Sequence, residues 1–162
     1  MTTLPVSAIW LAILASGLMG GLFFAFSVSV MTALGRLPAP EGIAAMQAIN
    51  RAILNPIFLV VYFGTALLDL VLALAAVWLW DGMGTMLLAA GGAVYVIGVF
   101  VVTMLVNVPM NTALDGIDPK ASASTAHWRD YLRRWTRWNH VRAAAAMMAT
   151  LLLLASLPPG GP

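Results

Sequence analysis

Read for hydrophobic and polar positions alone, the chain divides into long apolar runs separated by short polar patches. No charged residue occurs between Val6 and Leu34, and about 20 apolar residues are enough to cross a bilayer as a helix. A second run, from about Pro56 to Trp80, is interrupted only by Asp69 and ends at the turn-forming Asp81-Gly82-Met83-Gly84. A third covers about Thr85 to Asn107, and a fourth runs from about Trp138 to Leu157 and stops at Pro158-Pro159-Gly160-Gly161. The pattern predicts spans at about 6–34, 56–80, 85–107 and 138–157, in a single domain over residues 1–162. The expected fold class is all-α, an integral membrane four-helix bundle. The first run has neither the basic n-region nor the small-residue cleavage site of a secretory signal, so it is expected to be retained.

The connections carry two shorter amphipathic patterns. One, at about 41–51 after Pro38 and Pro40, would bury Ile43, Met46 and Ile49 or Asn50. The other, at about 126–138, repeats Trp128, Tyr131, Leu132, Trp135 and Trp138 at spacings of three and four. Arg129, Asp130, Arg133, Arg134 and Arg137 occupy its opposite arc, as in a helix lying at a membrane surface. The stretch Val28–Leu34 also echoes Val106–Leu114, each ahead of a connecting helix. That echo fits two hairpins related by a parallel repeat, and chance similarity in an Ala- and Val-rich chain explains it equally well.

Composition removes whole classes of function. With 62% hydrophobic and 9% charged residues, the chain departs from soluble domains, about a quarter of whose residues are charged. It has no cysteine, which excludes disulfides, thiolate metal sites, iron–sulfur clusters and cysteine nucleophiles. All eight basic residues lie in two connections, Arg36 and Arg51 in one and Lys120, Arg129, Arg133, Arg134, Arg137 and Arg142 in the other. By the positive-inside rule both connections face the cytoplasm and both termini the opposite side, as in a bacterial inner membrane. The net charge of +2 therefore points to the lipid bilayer as partner and not to nucleic acid. Trp10, Trp78 and Trp80 are expected at the outer headgroup level, and Trp128, Trp135 and Trp138 at the inner one.

Polar side chains at lipid depth need partners or a wet cavity, and here they converge on the cytoplasmic end. Asn50 and Asn55 precede the second span, Asn107 and Asn111 close the third, and Asn139, His140 and Arg142 open the fourth. Asn55 before Pro56 reads as a helix N-cap. Asn107 and Asn111 share a face and either answer carbonyls released by Pro109, which is expected to end or kink the helix, or hold a ligand. Asn139 and Arg142 continue the face of Trp135, whereas His140 sits about 160° around the helix from Arg142. His140 is the candidate general base with a near-neutral pKa, against the competing reading of a hydrogen-bonded interface histidine.

His127 falls in a solvated loop. Two histidines without cysteine or paired carboxylates argue against a metal site, a di-iron site or bis-histidine haem, and no cofactor is expected. Asp69, roughly 20 Å from Asn55 along the helix, is expected to be buried, protonated and bonded to Ser16, Thr65 or neighbouring backbone. Gly17-x-x-x-Gly21 permits close helix approach, within the chain or in a homo-oligomer. Phe23, Phe24 and Phe26 either pack as filler or wall an aromatic pocket.

Four stretches carry a family resemblance: Phe23-Phe24-Ala25-Phe26-Ser27; Ala45-Met46-Gln47-Ala48-Ile49-Asn50 with Asn55-Pro56; Asn107-Val108-Pro109-Met110-Asn111; and Trp135-Thr136-Arg137-Trp138-Asn139-His140-Val141-Arg142. In these the chain resembles the anthrone oxygenase family, small four-span membrane proteins. The resemblance implies oxidation of an anthrone to an anthraquinone by dioxygen, without bound metal or flavin. An anthrone has an acidic methylene, and its enolate is electron-rich enough to meet dioxygen directly, so a base, oxyanion donors and a dry aromatic slot would suffice. In that scheme His140 is the base. Arg142 holds the oxyanion with Asn107, Asn111 or Asn139, Asn50 also contacts the substrate, and Trp135, Trp138 and Phe23 stack on its rings. The alternative is a non-catalytic membrane protein that binds a lipid, a quinone-like molecule or a partner through the same Asn/Arg cluster.

Overall fold

Within a bilayer every backbone N–H and C=O has to bond inside its own segment, so long apolar runs become helices. The computed structural model describes residues 4–157, and these form helices joined by short turns, with no strand among the described residues. Helix α1 is Val6–Leu34, α2 Ala39–Ala52, α3 Pro56–Trp78, α4 Met83–Asp115 and α5 Ser124–Ala155. Three of them, α1, α3 and α4, are long and apolar enough to cross a membrane. Helix α5 is as long, but its first half carries the arginine-rich face.

Helix α1 packs against α5 and α3, and α4 lies between α3 and α5. Two apolar clusters fill the space between them, one around Ile9, Ile13, Leu72, Leu88 and Leu153, the other around Met19, Phe23, Tyr62, Tyr95 and Val99. Close contact depends on absent side chains: a Cβ on Gly92 would collide with the Asp69 carbonyl oxygen of α3, and one on Gly98 with Ala145 Cβ of α5. The turn between α3 and α4 uses Gly82 at φ +104°, where only glycine is unstrained.

Helix α2 closes the basic end. Pro40 sits in its first turn, Gly42 lies against the Trp128 ring, and Met46 and Ile43 join Leu34, Leu114, Trp128, Tyr131 and Trp135 in a third cluster. Gln47 fastens it further by donating to the carbonyls of Leu114 and Ile117, both at 2.9 Å.

In several places the structure refines or differs from the sequence expectations. The regions read as a surface helix and a fourth span are one unbroken helix, because neither proline nor glycine occurs between Ser124 and Ala155. Pro109 does not end α4. The helix widens into π turns at Val96–Val101 and Thr103–Asn107, and Pro109 then stands in the first turn of a fresh α segment, where its missing N–H is least costly. Helix α1 contains a comparable π turn at Phe26–Val30. Trp128 and Trp135 are not headgroup anchors: both are buried, and Trp128, Tyr131 and Trp135 stack in succession. Gly17 lies against Thr150 of α5, but Gly21 has open space where a side chain would be, and Gly20 is the second glycine that approaches α5, at Ala146. Asp69 accepts a hydrogen bond from Ser16 Oγ at 3.0 Å, while Thr65 bonds back to the Val61 carbonyl. The Pro158–Gly161 stop lies outside the described residues.

Candidate functional site

Asn55 accepts from the Phe58 N–H at 3.0 Å and so caps α3, with Pro56 at the first helical position. From that cap α3 rises past Phe58, Tyr62 and Phe63. Opposite it, the buried stripe of α5 presents Trp128, Tyr131, Trp135, Asn139 and Arg142 in order. A cavity of about 290 Å³ separates them, near the lower end of small-molecule pockets, which begin at about 300 Å³. Its walls are overwhelmingly apolar, with Phe23, Phe26, Phe58, Tyr62, Phe63 and Trp135 supplying the aromatic surface. The polar residues on its lining are Asn50, Tyr62, Thr103, Asn111, Asn139 and Arg142.

Arg142 dominates the electrostatics. The residue is 5% exposed, and its guanidinium lies 4.5 Å from the Phe23 ring centroid and 5.2 Å from that of Trp135. It donates to Thr103 Oγ1 at 3.1 Å and to Asn139 Oδ1, while its Nε has no partner. The ion pairs among the described residues join Arg51 to Asp115 and Arg133 and Arg134 to Asp130, so no carboxylate answers Arg142. A buried cation held only by neutral acceptors is costly, and an anionic oxygen delivered to the cavity would relieve it.

Asn139, fully buried, fixes that guanidinium. Its Nδ2 donates to the Phe23 carbonyl at 2.6 Å and to Ser27 Oγ at 2.7 Å, which turns its Oδ1 toward Arg142. Phe23 lies just ahead of the π turn of α1 and Ser27 within it, and Thr103 opens the second π turn of α4. Asn111 Oδ1 accepts from Tyr131 Oη at 2.9 Å and Trp135 Nε1 at 2.8 Å, locking the indole as one wall. Burial pushes the Tyr131 phenol well above its usual range, so it stays a neutral donor. Asn50 contributes an Nδ2 that is buried and unpaired.

Of the residues singled out in the sequence, Phe23, Asn50, Asn111, Trp135, Asn139 and Arg142 meet at this cavity. Three do not. His140 is exposed on the outer side of α5, in an open groove with Arg134, Arg137, Trp138 and Val141. The 100° advance per residue that carries Asn139 inward carries His140 away. Trp138 goes with it for the same reason. Asn107 is buried but lies outside the cavity lining, with neither polar atom of its amide paired. Ser27, Tyr62 and Thr103 were not singled out as site residues, although Ser27 follows Phe23 by four and Thr103 precedes Asn107 by four, the spacing that puts them on those faces. Among the described residues no three His, Cys, Asp or Glu side chains gather into a metal-binding group.

A family model described as anthrone oxygenase matches residues 58–152. That stretch holds most of α3 to α5, and with them Tyr62, Thr103, Asn111, Trp135, Asn139 and Arg142. No curated protein and no solved structure matches the chain.

Proposed function

Because the chain belongs to the anthrone oxygenase family, we propose that it is a membrane enzyme that oxidises an anthrone or related polycyclic aromatic with dioxygen at the Arg142 cavity. The observation that carries this reading is the buried guanidinium without a carboxylate, at the end of an aromatic-walled pocket. A site of that kind favours a flat aromatic ligand as its oxyanion. The overall reaction balances as anthrone plus dioxygen giving anthraquinone plus water. One oxygen atom becomes the new carbonyl, and the other leaves as water with the two methylene hydrogens.

In this scheme Arg142 and the Asn50 amide stabilise the enolate oxygen, and Phe23 and Trp135 hold the ring plane. Since His140 is outside the cavity, the methylene proton passes to water, and no side chain acts as general base. The enolate then gives its electrons to dioxygen. The same proposal takes α5 beyond Trp138 as a fourth span of a bundle, with both termini on the non-cytoplasmic side and the two hairpins related as a repeat.

The experiment is anthraquinone formation by the protein in proteoliposomes supplied with an anthrone and air. Arg142→Gln should lower the rate about 10²–10³-fold, the size of one lost oxyanion donor. Equal rates in Arg142→Gln and the unaltered protein would rule out this site. A second reading, a non-catalytic binder of aromatic anions, is favoured by the complete hydrogen bonding of Asn139, as in a structural core. It predicts saturable anthrone binding with no dioxygen consumption.

A further inference from the structure

The way into the cavity is written in its rim. On one side stand Leu54, just before α3, and Phe63 on α3, 65% and 47% exposed; on the other stand Met104 and Val108 of α4, both 40% exposed. All four are apolar. Helix α3 packs along Met83–Val101 of α4 and makes few close backbone approaches to Thr103–Asp115, so the two helices diverge and leave a slot between these side chains. Phe63, Met104 and Val108 lie in α3 and α4, two of the three helices that are long and apolar enough to cross a membrane. Where a helix spans the hydrocarbon core, its exposed surface meets acyl chains, not water.

The end that would face water is covered instead. Helix α2 lays Met46, Ile49 and Asn50 over the cavity, and Met46 is only 1% exposed. The cover is pinned by Gln47 on the Leu114 and Ile117 carbonyls, by the Arg51–Asp115 ion pair at 2.7 Å, and by Gly42 against Trp128. These attachments hold α2 across the cavity on that side. A ligand dissolved in the bilayer meets only four apolar side chains, with a cation at the far end of the passage.

We propose that the ligand is a membrane-dissolved, largely apolar aromatic that enters sideways, from the leaflet beside the arginine-rich connections, between Leu54 and Phe63 on one side and Met104 and Val108 on the other. It travels with its ionisable oxygen leading, because Arg142 lies deep and the rim offers no polar contact. The proposal rests on the reading of the cavity as a ligand site, but not on turnover, and its test is independent of turnover.

The chain has no cysteine, so a single introduced thiol reports its own surroundings. Met46→Cys and Phe26→Cys put a thiol on the cavity wall, and Ser122→Cys puts one in the connection between α4 and α5. In proteoliposomes, N-(1-pyrenyl)maleimide, which partitions into lipid, should label both cavity thiols. A sulfonated maleimide with access to the basic side should label Ser122→Cys at least tenfold faster than either. Adding Met104→Trp and Val108→Trp to fill the slot should slow pyrene labelling of Met46→Cys about tenfold and leave Ser122→Cys unchanged. Val108→Phe alone, a milder filling, should slow it to a lesser degree, and thermal unfolding verifies that each variant is folded. The proposal is overturned if the sulfonated reagent labels the cavity thiols as fast as Ser122→Cys, if folded slot-filled variants label at the original rate, or if the pyrene reagent reaches neither cavity thiol. Absence of anthrone oxidation would remove the enzymatic reading and leave the labelling result intact.

Discussion

Arg142 is held by two neutral oxygens and two aromatic faces, and each partner has a separate consequence. Replacing it with Gln should abolish most turnover, yet raise or preserve thermal stability, because an unanswered buried charge is removed. Replacing it with Lys keeps the charge but loses the planar fork that reaches Thr103 and Asn139 together, so turnover should recover only in part. His140→Ala should leave turnover within about twofold, since the imidazole faces away from the cavity; a tenfold loss in the same proteoliposome assay would bring it back as the base. Asn107 gives a test of the opposite sign. Its amide is buried with neither pole paired, a condition costing about 1–3 kcal/mol. Asn107→Leu should therefore raise the unfolding temperature in detergent while turnover stays within about twofold. A drop in turnover alone would mean that the amide is engaged by substrate, and a drop in unfolding temperature that it has a partner within the fold.

At the scale of elements, helix contacts depend on where a side chain is missing. A Cβ on Gly92 has nowhere to go but into the Asp69 carbonyl, so Gly92→Ala should cost about 1–3 kcal/mol by forcing α3 and α4 apart. Gly21 faces open space, and Gly21→Ala should stabilise by up to about 1 kcal/mol through helix propensity. Thermal unfolding of the two variants side by side checks both signs. Much of this layer was legible beforehand: the apolar runs, the Asn55 cap, the short helix beginning near Pro40, and the inward face carrying Trp135, Asn139 and Arg142. The π turns were not. A change from α to π bonding alters only the backbone register and leaves no side-chain signature, so the continuation of α4 past Pro109 was hidden, and with it the roles of Ser27 and Thr103. The side mouth was hidden for another reason, because it arises from the divergence of α3 and α4, a relation between two segments that neither pattern contains alone.

Across the whole molecule, charge and cavity are coupled. The basic residues of α2 and the first half of α5 gather at the end where the cavity lies, while the turn between α3 and α4 carries only Asp81. If the positive-inside rule governs this chain, the enclosed site adjoins the cytoplasm, and that turn projects from the other face of the membrane. Two single cysteines decide it, since the chain supplies none of its own. A membrane-impermeant sulfonated maleimide added to intact cells should label Gly84→Cys in the first turn of α4, next to that turn, and spare Ser122→Cys in the basic connection, and lysis should expose the second. The reverse pattern would put the arginines outside. It would also move the cavity's lipid mouth to the other leaflet, although the slot itself, being set by where α3 and α4 diverge, would remain.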